Sequence, residues 1–216
     1  MKKVYPSLIA AKLLEIKQEV EKLEPYCAGF HLDVMDNHFV PNLTFGADFI
    51  NEVTSITNKQ LFVHLMIDNP FEFLNQINLK KGDIVSVQYA SMQEIPRMLN
   101  TIKEKDLITS IAINPDIPLE KIYPYINTLD QVVIMSVKAG FSGQKFIPET
   151  KNKAHDLALY REENNLSFDI CMDGGIDTDN IQKIAKIGVD SFVVGSSIFN
   201  SQNPIETLKE LNRLID

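Results

Sequence analysis

Apolar residues along this chain come in two alternating rhythms. Short runs rich in Val, Ile, Leu and Phe occupy residues 4–9, 30–35, 60–66, 83–88, 107–113, 131–137, 168–172 and 191–194, lengths that suit buried strands. Between the runs, apolar positions recur at helical spacing. Leu13, Ile16, Val20 and Leu23 form one stripe among charged residues, and Ile181, Ile184 and Ile187 form another behind the cap pair Asp177-Thr178. Asn69-Pro70 and Asn203-Pro204 each place a capping residue before a proline at the first helical position. The second of these opens a last helix that buries Ile205, Leu208, Leu211 and Ile215. Further helices are predicted after Gly46, over residues 92–102, briefly after Pro118, and from Pro148 to about Glu163.

Strands alternating with helices through short connections imply an α/β protein with a parallel sheet. Eight such units in 216 residues suit a closed (β/α)8 TIM barrel that takes the whole chain, residues 1–216, as a single domain. The competing architecture is an open doubly wound sheet.

Composition acts mainly by exclusion. A net charge of −8 and a pI of about 5.0, with no basic patch, argue against nucleic-acid and membrane-surface partners. Cys27 and Cys171 make neither a disulfide framework nor a zinc spacing and read as buried thiols. Pro6 and the charged residues of 12–21 break any signal-peptide core, and no run approaches transmembrane length. The expected location is the cytoplasm.

The polar residues that matter fall at the ends of the predicted strands, where barrel active sites lie. His31, Asp33 and Met35 share one face of the second strand, since residues two apart point the same way. A lone His-x-Asp is most simply a hydrogen-bonded pair inside a barrel. Here it is joined by Ser7 after strand one, His64 at the end of strand three and Asp173 directly after strand seven. Two imidazoles and two carboxylates suit one divalent metal, Zn, Fe, Mn or Co, rather than calcium. Glycine turns follow strands six (Gly140-Phe141-Ser142-Gly143), seven (Gly174-Gly175) and eight (Gly195-Ser196), where such barrels bind phosphate. Strands two and seven are three apart around a ring of eight, so Asp33 and Asp173 approach its axis from nearly opposite sides. Carboxylates so placed can take a proton from one face of a carbon and return one to the other, with a metal polarising the adjacent carbonyl. That is epimerisation next to a ketone, and it needs no organic cofactor.

In these features the chain resembles the ribulose-phosphate 3-epimerase family. The likeness runs from Pro6-Ser7 to Phe199 through His31-Leu32-Asp33-Val34-Met35-Asp36, His38-Phe39-Val40-Pro41-Asn42, His64-Leu65-Met66, Met135-Ser136-Val137, Gly140-Phe141-Ser142-Gly143-Gln144, Asp173-Gly174-Gly175 and Val194-Gly195-Ser196. The resemblance implies a barrel that holds its metal through His31, Asp33, His64 and Asp173, with Asp33 and Asp173 as the acid/base pair. It also implies that Ser7 and His64 contact substrate, that Met35, Met66 and Met135 cover the reacting carbon, and that the three glycine turns hold phosphate. The implied partner is a phosphorylated ketose, and the family suggests self-association into a homo-oligomer.

Several positions depart from the family pattern. Asn37 and Ser142 stand where glycine is usual, Lys138-Ala139 replaces an acidic or amide residue followed by proline, and Gln88 and Ala90 replace His and Glu. Ala10 and Lys12 replace Ser and Asp. No proposed ligand or acid/base residue is lost. The expected activity is interconversion of D-ribulose 5-phosphate and D-xylulose 5-phosphate. The alternatives are 3-epimerisation of a hexulose 6-phosphate such as allulose 6-phosphate, motivated by Lys138 and Gln88, and a paralogue that binds sugar phosphate without turnover. Decarboxylases with an Asp-x-Lys-x-x-Asp motif fit poorly, because strand three offers no such lysine. His38 reads as ordering its loop, though the resemblance places it near the mouth. Asp36 reads equally as a loop hydrogen-bonder or a catalytic group, His155 as a surface or helix-packing histidine, Lys145 as able to approach phosphate without being counted in the site, and Arg161-Glu162-Glu163 as a solvated helix end.

Overall fold

In the computed structural model, which describes residues 2–216, the apolar runs form eight parallel strands. They are β1 (Lys3–Pro6), β2 (Gly29–Met35), β3 (Gln60–Met66), β4 (Ile84–Gln88), β5 (Ile108–Ile113), β6 (Gln131–Met135), β7 (Asp169–Asp173) and β8 (Ser191–Val194). Each pairs with its sequence neighbour from β2 through β8, and β8 pairs with β1. The ring closes between β1 and β2, where Ser7 bridges to His31 and the Ala28 N–H donates to the Val4 carbonyl at 3.2 Å. The fold is a TIM barrel, as its strand count and alternation predict.

Both faces of every strand are covered, which is why the runs read as almost continuously apolar. Outward residues such as Leu32, Val34, Leu65, Val87, Ile134 and Phe192 pack in the layer beneath the helices. That layer takes Val20 and Leu23 of α1 (Ile16–Leu23), and Ile50 and Val53 of α2 (Ala47–Ile56). After the one-turn α3 (Pro70–Leu74), α4 (Ile95–Glu104) gives Met98, Leu99 and Ile102. Beyond α5 (Thr150–Glu163), α6 (Ile181–Ala185) and α7 (Ser196–Phe199), α8 (Pro204–Ile215) gives Leu208, Leu211 and Ile215. Each such side chain contributes about 1.5–3 kcal/mol by leaving water. Inward residues form a second, smaller cluster that includes Tyr5, Phe62, Ile84, Val133 and Cys171.

Several boundaries differ from the sequence reading. β1 stops at Pro6 because Leu8–Ala10 wind into a 3-10 turn, which leaves Ser7 at the rim of the ring. The helix expected after Pro118 is two 3-10 segments, Leu119–Lys121 and Tyr123–Thr128, with Pro124 withholding the N–H a continuous helix needs. Leu13 lies in a 3-10 turn and is mostly exposed, and Ile205 is half-buried. Arg161 is not simply solvated. Its guanidinium reaches Asp190 Oδ2 at 2.5 Å and the carbonyls of Phe168 and Gly188 at 2.8 and 3.0 Å, tying α5 to the strand ends beneath it. Among the described residues no helix is long and apolar enough to cross a membrane.

The start of β2 is tightly fixed against β3. Gly29 faces Gln60 across the ladder, and a Cβ at Gly29 would overlap the Gln60 carbonyl oxygen. Gly29→Ala is therefore expected to lower the unfolding free energy by about 1–3 kcal/mol, read from the urea midpoint at unchanged slope. A parental midpoint would mean that β2 is not held in this register.

Candidate metal centre and active site

Strand register decides which side chains meet. β2 lies against β3 with Asp33 beside His64 and Met35 beside Met66. β7 sets Asp173 beside Met135 of β6 and Val193 of β8. β1 and β8 separate β2 from β7, so the two aspartates arrive from different sides of the ring. They converge: His31, Asp33, His64 and Asp173 each offer a ligand atom within 4.8 Å of the others.

A short network holds these groups. The Ser7 hydroxyl donates to Asp33 Oδ2 at 2.7 Å, and His31 Nδ1 lies 3.3 Å from Ser7 Oγ and 3.2 Å from Asp33 Oδ2. The Thr44 hydroxyl donates to the Asp33 carbonyl at 2.5 Å and accepts from the Met35 N–H at 2.9 Å, pinning the end of β2. His31 and His64 are fully buried, and Asp33 is 6% exposed. Burial alone pushes the Asp33 carboxyl up, but the charge and hydrogen bond of His31, joined by His64, outweigh it and hold the group well below the usual carboxylate range. For His64, burial pushes downward while the carboxylates of Asp173 and Asp33 carry the imidazole up to about 9.

Two ring nitrogens are left over. His31 Nε2 and His64 Nδ1 are buried and have no hydrogen-bond partner. His31 Nε2 lies 3.8 Å from Asp173 Oδ2, while His64 Nδ1 lies 3.4 Å from Asp173 Oδ2 and 3.7 Å from Asp33 Oδ1. An unsatisfied buried polar atom costs about 1–3 kcal/mol. A divalent cation among the four groups would use both lone pairs and both carboxylates. Two nitrogens and two oxygens are the donor set of a zinc-like or iron-like ion, so these residues fit one.

Above the ligand atoms opens a pocket of about 550 Å³ when the open solvent at its mouth is included. Ser7, Asp33 and Asp173 line its floor with Met35, Met66 and Met135, and its far wall is the three glycine turns. Gly140, Phe141, Ser142, Gly143, Gly174, Gly175, Gly195 and Ser196 all border this one space, although the Phe141 side chain is half exposed. Gly174 and Gly175 have φ of +119° and +64°, and a Cβ on them would collide with Val137 and with the backbone of Phe146. Among the described residues no Lys or Arg borders the cavity. The neutral donors on its wall are the backbone N–H groups of the glycine turns and the hydroxyls of Ser142 and Ser196.

The structure adds two groups that the sequence does not single out, Gln144 and Asn42. Gln144 braces the β6 loop by donating to the carbonyls of Lys138 and Phe141 at 2.6 and 2.8 Å. Asn42, carried by the loop after β2, donates to the Gly140 carbonyl at 2.7 Å and joins loops from opposite sides of the ring. The only sequence signal for either is its place inside a motif that carries the family resemblance. Gln88 is fully buried with its carboxamide nitrogen 3.1 Å from His64 Nε2. Asn37 adopts φ of +60°, a left-handed conformation that Asn tolerates. The Asp36 carboxylate accepts from the N–H groups of His38, Phe39 and Asp68, His155 is exposed, and Lys145 borders a neighbouring cavity.

Comparison with known proteins points the same way. The model of the ribulose-phosphate 3 epimerase family matches residues 3–199. The chain is 33% identical to ribulose-phosphate 3-epimerase of Synechocystis sp., covering 95% of this chain and 90% of that one. It is 30% identical to the Bacillus subtilis protein of that name over 98% of each. A chloroplastic ribulose-5-phosphate-3-epimerase of Arabidopsis thaliana is 34% identical over 95% of this chain and 74% of its own length. Among solved structures, 3-keto-L-gulonate-6-phosphate decarboxylase of Vibrio cholerae superposes with a TM-score of 0.73 over 100% of this chain and 98% of that one. At 15% identity it shares the fold alone.

The charge arrangement has a pH signature. With its pKa raised from 6.5 to about 9, His64 stabilises the metal-free fold fully below pH 6.5, and that stabilisation is lost as pH rises through about 9. A cation at Nδ1 requires the neutral ring, so zinc affinity should climb over the same interval and level off above it. Thermal midpoints of metal-free protein and zinc affinities from pH 6 to 10 check both trends. Flat profiles in both would contradict this electrostatic assignment.

Proposed function

Because the chain belongs to the ribulose-phosphate 3-epimerase family, we propose that it epimerises a phosphorylated ketose at C3, interconverting D-ribulose 5-phosphate and D-xylulose 5-phosphate. The observation that carries this reading is the pair of buried aspartates reaching one small space from different sides of the ring. His31, Asp33, His64 and Asp173 would hold one divalent cation, which when bound polarises the C2 carbonyl and stabilises the enediolate.

The proton steps belong to the chain's own residues. Asp33, kept ionised by its imidazole neighbours, takes the C3 proton from one face of the sugar. The electrons of the broken C–H bond pass to the C2 oxygen. Asp173, as the acid of the pair, then donates a proton to the opposite face of C3 as the carbonyl re-forms. One proton leaves and one arrives, and only the configuration at C3 changes. In the reverse direction the two aspartates exchange roles.

The remaining residues hold and shield. Ser7 orients Asp33 and offers its Oγ to the sugar. Met35, Met66 and Met135 surround the reacting carbon with soft, apolar groups that keep water from quenching the intermediate. Backbone N–H groups of the three glycine turns cradle the phosphate. The departures leave this machinery in place, since Lys138 is exposed and only Ala139 of that pair borders the cavity. The substitutions at Lys138 and Gln88 motivate the second reading, 3-epimerisation of a hexulose 6-phosphate, although Lys138 stands outside the cavity.

Deuterium incorporation at C3 of D-ribulose 5-phosphate in D₂O, followed by NMR together with xylulose 5-phosphate, tests the proposal. Exchange and product should vanish on chelation and return with added metal. Asp33→Asn and Asp173→Asn should each lower turnover by at least about 10²–10⁴-fold. Near-parental activity of either variant at full metal content would sink the two-aspartate mechanism. Exchange with allulose 6-phosphate alone would move the substrate to a hexulose, and none with either sugar would leave a binding protein.

A further inference from the structure

Gln88 ends β4 with its side chain fully buried, directly behind His64. Its carboxamide nitrogen lies 3.1 Å from His64 Nε2, and its Oε1 has no hydrogen-bond partner. The other ring nitrogen, Nδ1, is the one that faces Asp33 and Asp173. A nitrogen that gives its lone pair to a cation carries no proton, so the single proton of the neutral ring must then sit on Nε2. An N–H at Nε2 points at Gln88 and needs an acceptor.

An amide nitrogen there would set donor against donor. The carboxamide is nearly symmetric in shape, and a half turn about its last carbon–carbon bond exchanges oxygen and nitrogen without moving any neighbour. That turn gives Oε1 a donor and gives Nε2–H its acceptor. His31 is held the opposite way round. Its Nδ1 lies within reach of Ser7 and Asp33, and its Nε2 is left for the ligand set.

We propose that Gln88 is a positioning residue for the cation site, its Oε1 accepting the Nε2 proton of His64 and so holding the ring in the tautomer and orientation that presents Nδ1 to the ion. The inference rests on the metal site of the proposed function and not on the identity of the sugar. Metal-ligating histidines ordinarily anchor their second nitrogen in this manner, and loss of the anchor typically weakens metal binding 10–100-fold. Gln88 is the side chain that contacts Nε2 of His64, so the anchor is here a neutral amide.

The test combines one spectrum with two variants. Long-range proton–nitrogen NMR of the zinc-loaded protein should show His64 protonated at Nε2 and unprotonated at Nδ1. Gln88→Met, which keeps the volume and removes the acceptor, should weaken zinc binding by about 10–100-fold in competition with a chromophoric chelator. Gln88→Glu, which keeps an acceptor, should bind zinc close to the parental affinity. A His64 proton on Nδ1, or parental zinc affinity in Gln88→Met, overturns the inference. Should Gln88→Met fail to fold, Gln88→Ala takes its place, with the same weakening of zinc binding expected and parental affinity overturning the inference. A folded parent that binds no zinc overturns the metal site itself, whereas tight binding by parent and Gln88→Met alike overturns only the role of Gln88.

Discussion

A carboxylate buried in a barrel lined by Tyr5, Phe62, Val133 and Val193 is stable only with compensation, and Asp33 is compensated on every side that the ring allows. Ser7 comes from the rim of β1 and His31 from β2 itself, both on Oδ2, while His64 of β3 stands 3.7 Å from Oδ1. These interactions also do mechanical work. The Ser7–His31 bridge joins the last two strands of the ring, so the residues that tolerate the charge also close the barrel. Thr44 then fixes the backbone of β2 just beyond. Fold closure and site electrostatics are therefore one arrangement, and a change at Ser7 would be felt in both.

Much of this was legible in the chain. The alternation of buried runs and helical stripes is strong because strands covered on both faces and helices packed on one leave different periodicities. Strand-end placement also marked His31, Asp33, His64 and Asp173, since polar residues that end buried runs are conspicuous. Other features left no local trace. Register is a relation between strands, and nothing within residues 29–66 announces that Asp33 will sit beside His64. The 3-10 segments after Pro118 arise from tertiary packing and from Pro124, and their apolar spacing resembles that of an ordinary helix. Gln88 appeared in the sequence only as a departure from a pattern. Its contact with His64 depends on the β3–β4 pairing, which sets Ser86 beside His64 and turns both strands' inward faces together.

The loops show how rigidity is divided. Asn42 ties the segment after β2 to the Gly140 carbonyl, and Gln144 ties the β6 loop to itself. The cavity is thus roofed by loops that depend on side-chain amides donating to backbone carbonyls. Such bonds are short in reach and neutral in charge. They leave the charged chemistry to the strand ends, which the barrel holds far more firmly.

The absence of Lys and Arg from the cavity wall has a kinetic consequence. A cradle of N–H dipoles acts only at contact, while the molecule as a whole carries a net charge of −8. A dianionic sugar phosphate approaching this surface would meet its repulsion only within about 8–10 Å, because physiological salt screens the field beyond that range. Added salt would therefore speed capture instead of slowing it, the reverse of an enzyme that steers its substrate electrostatically. Encounter is left to diffusion and discrimination to the last few ångströms, where shape and hydrogen-bond geometry select the ligand.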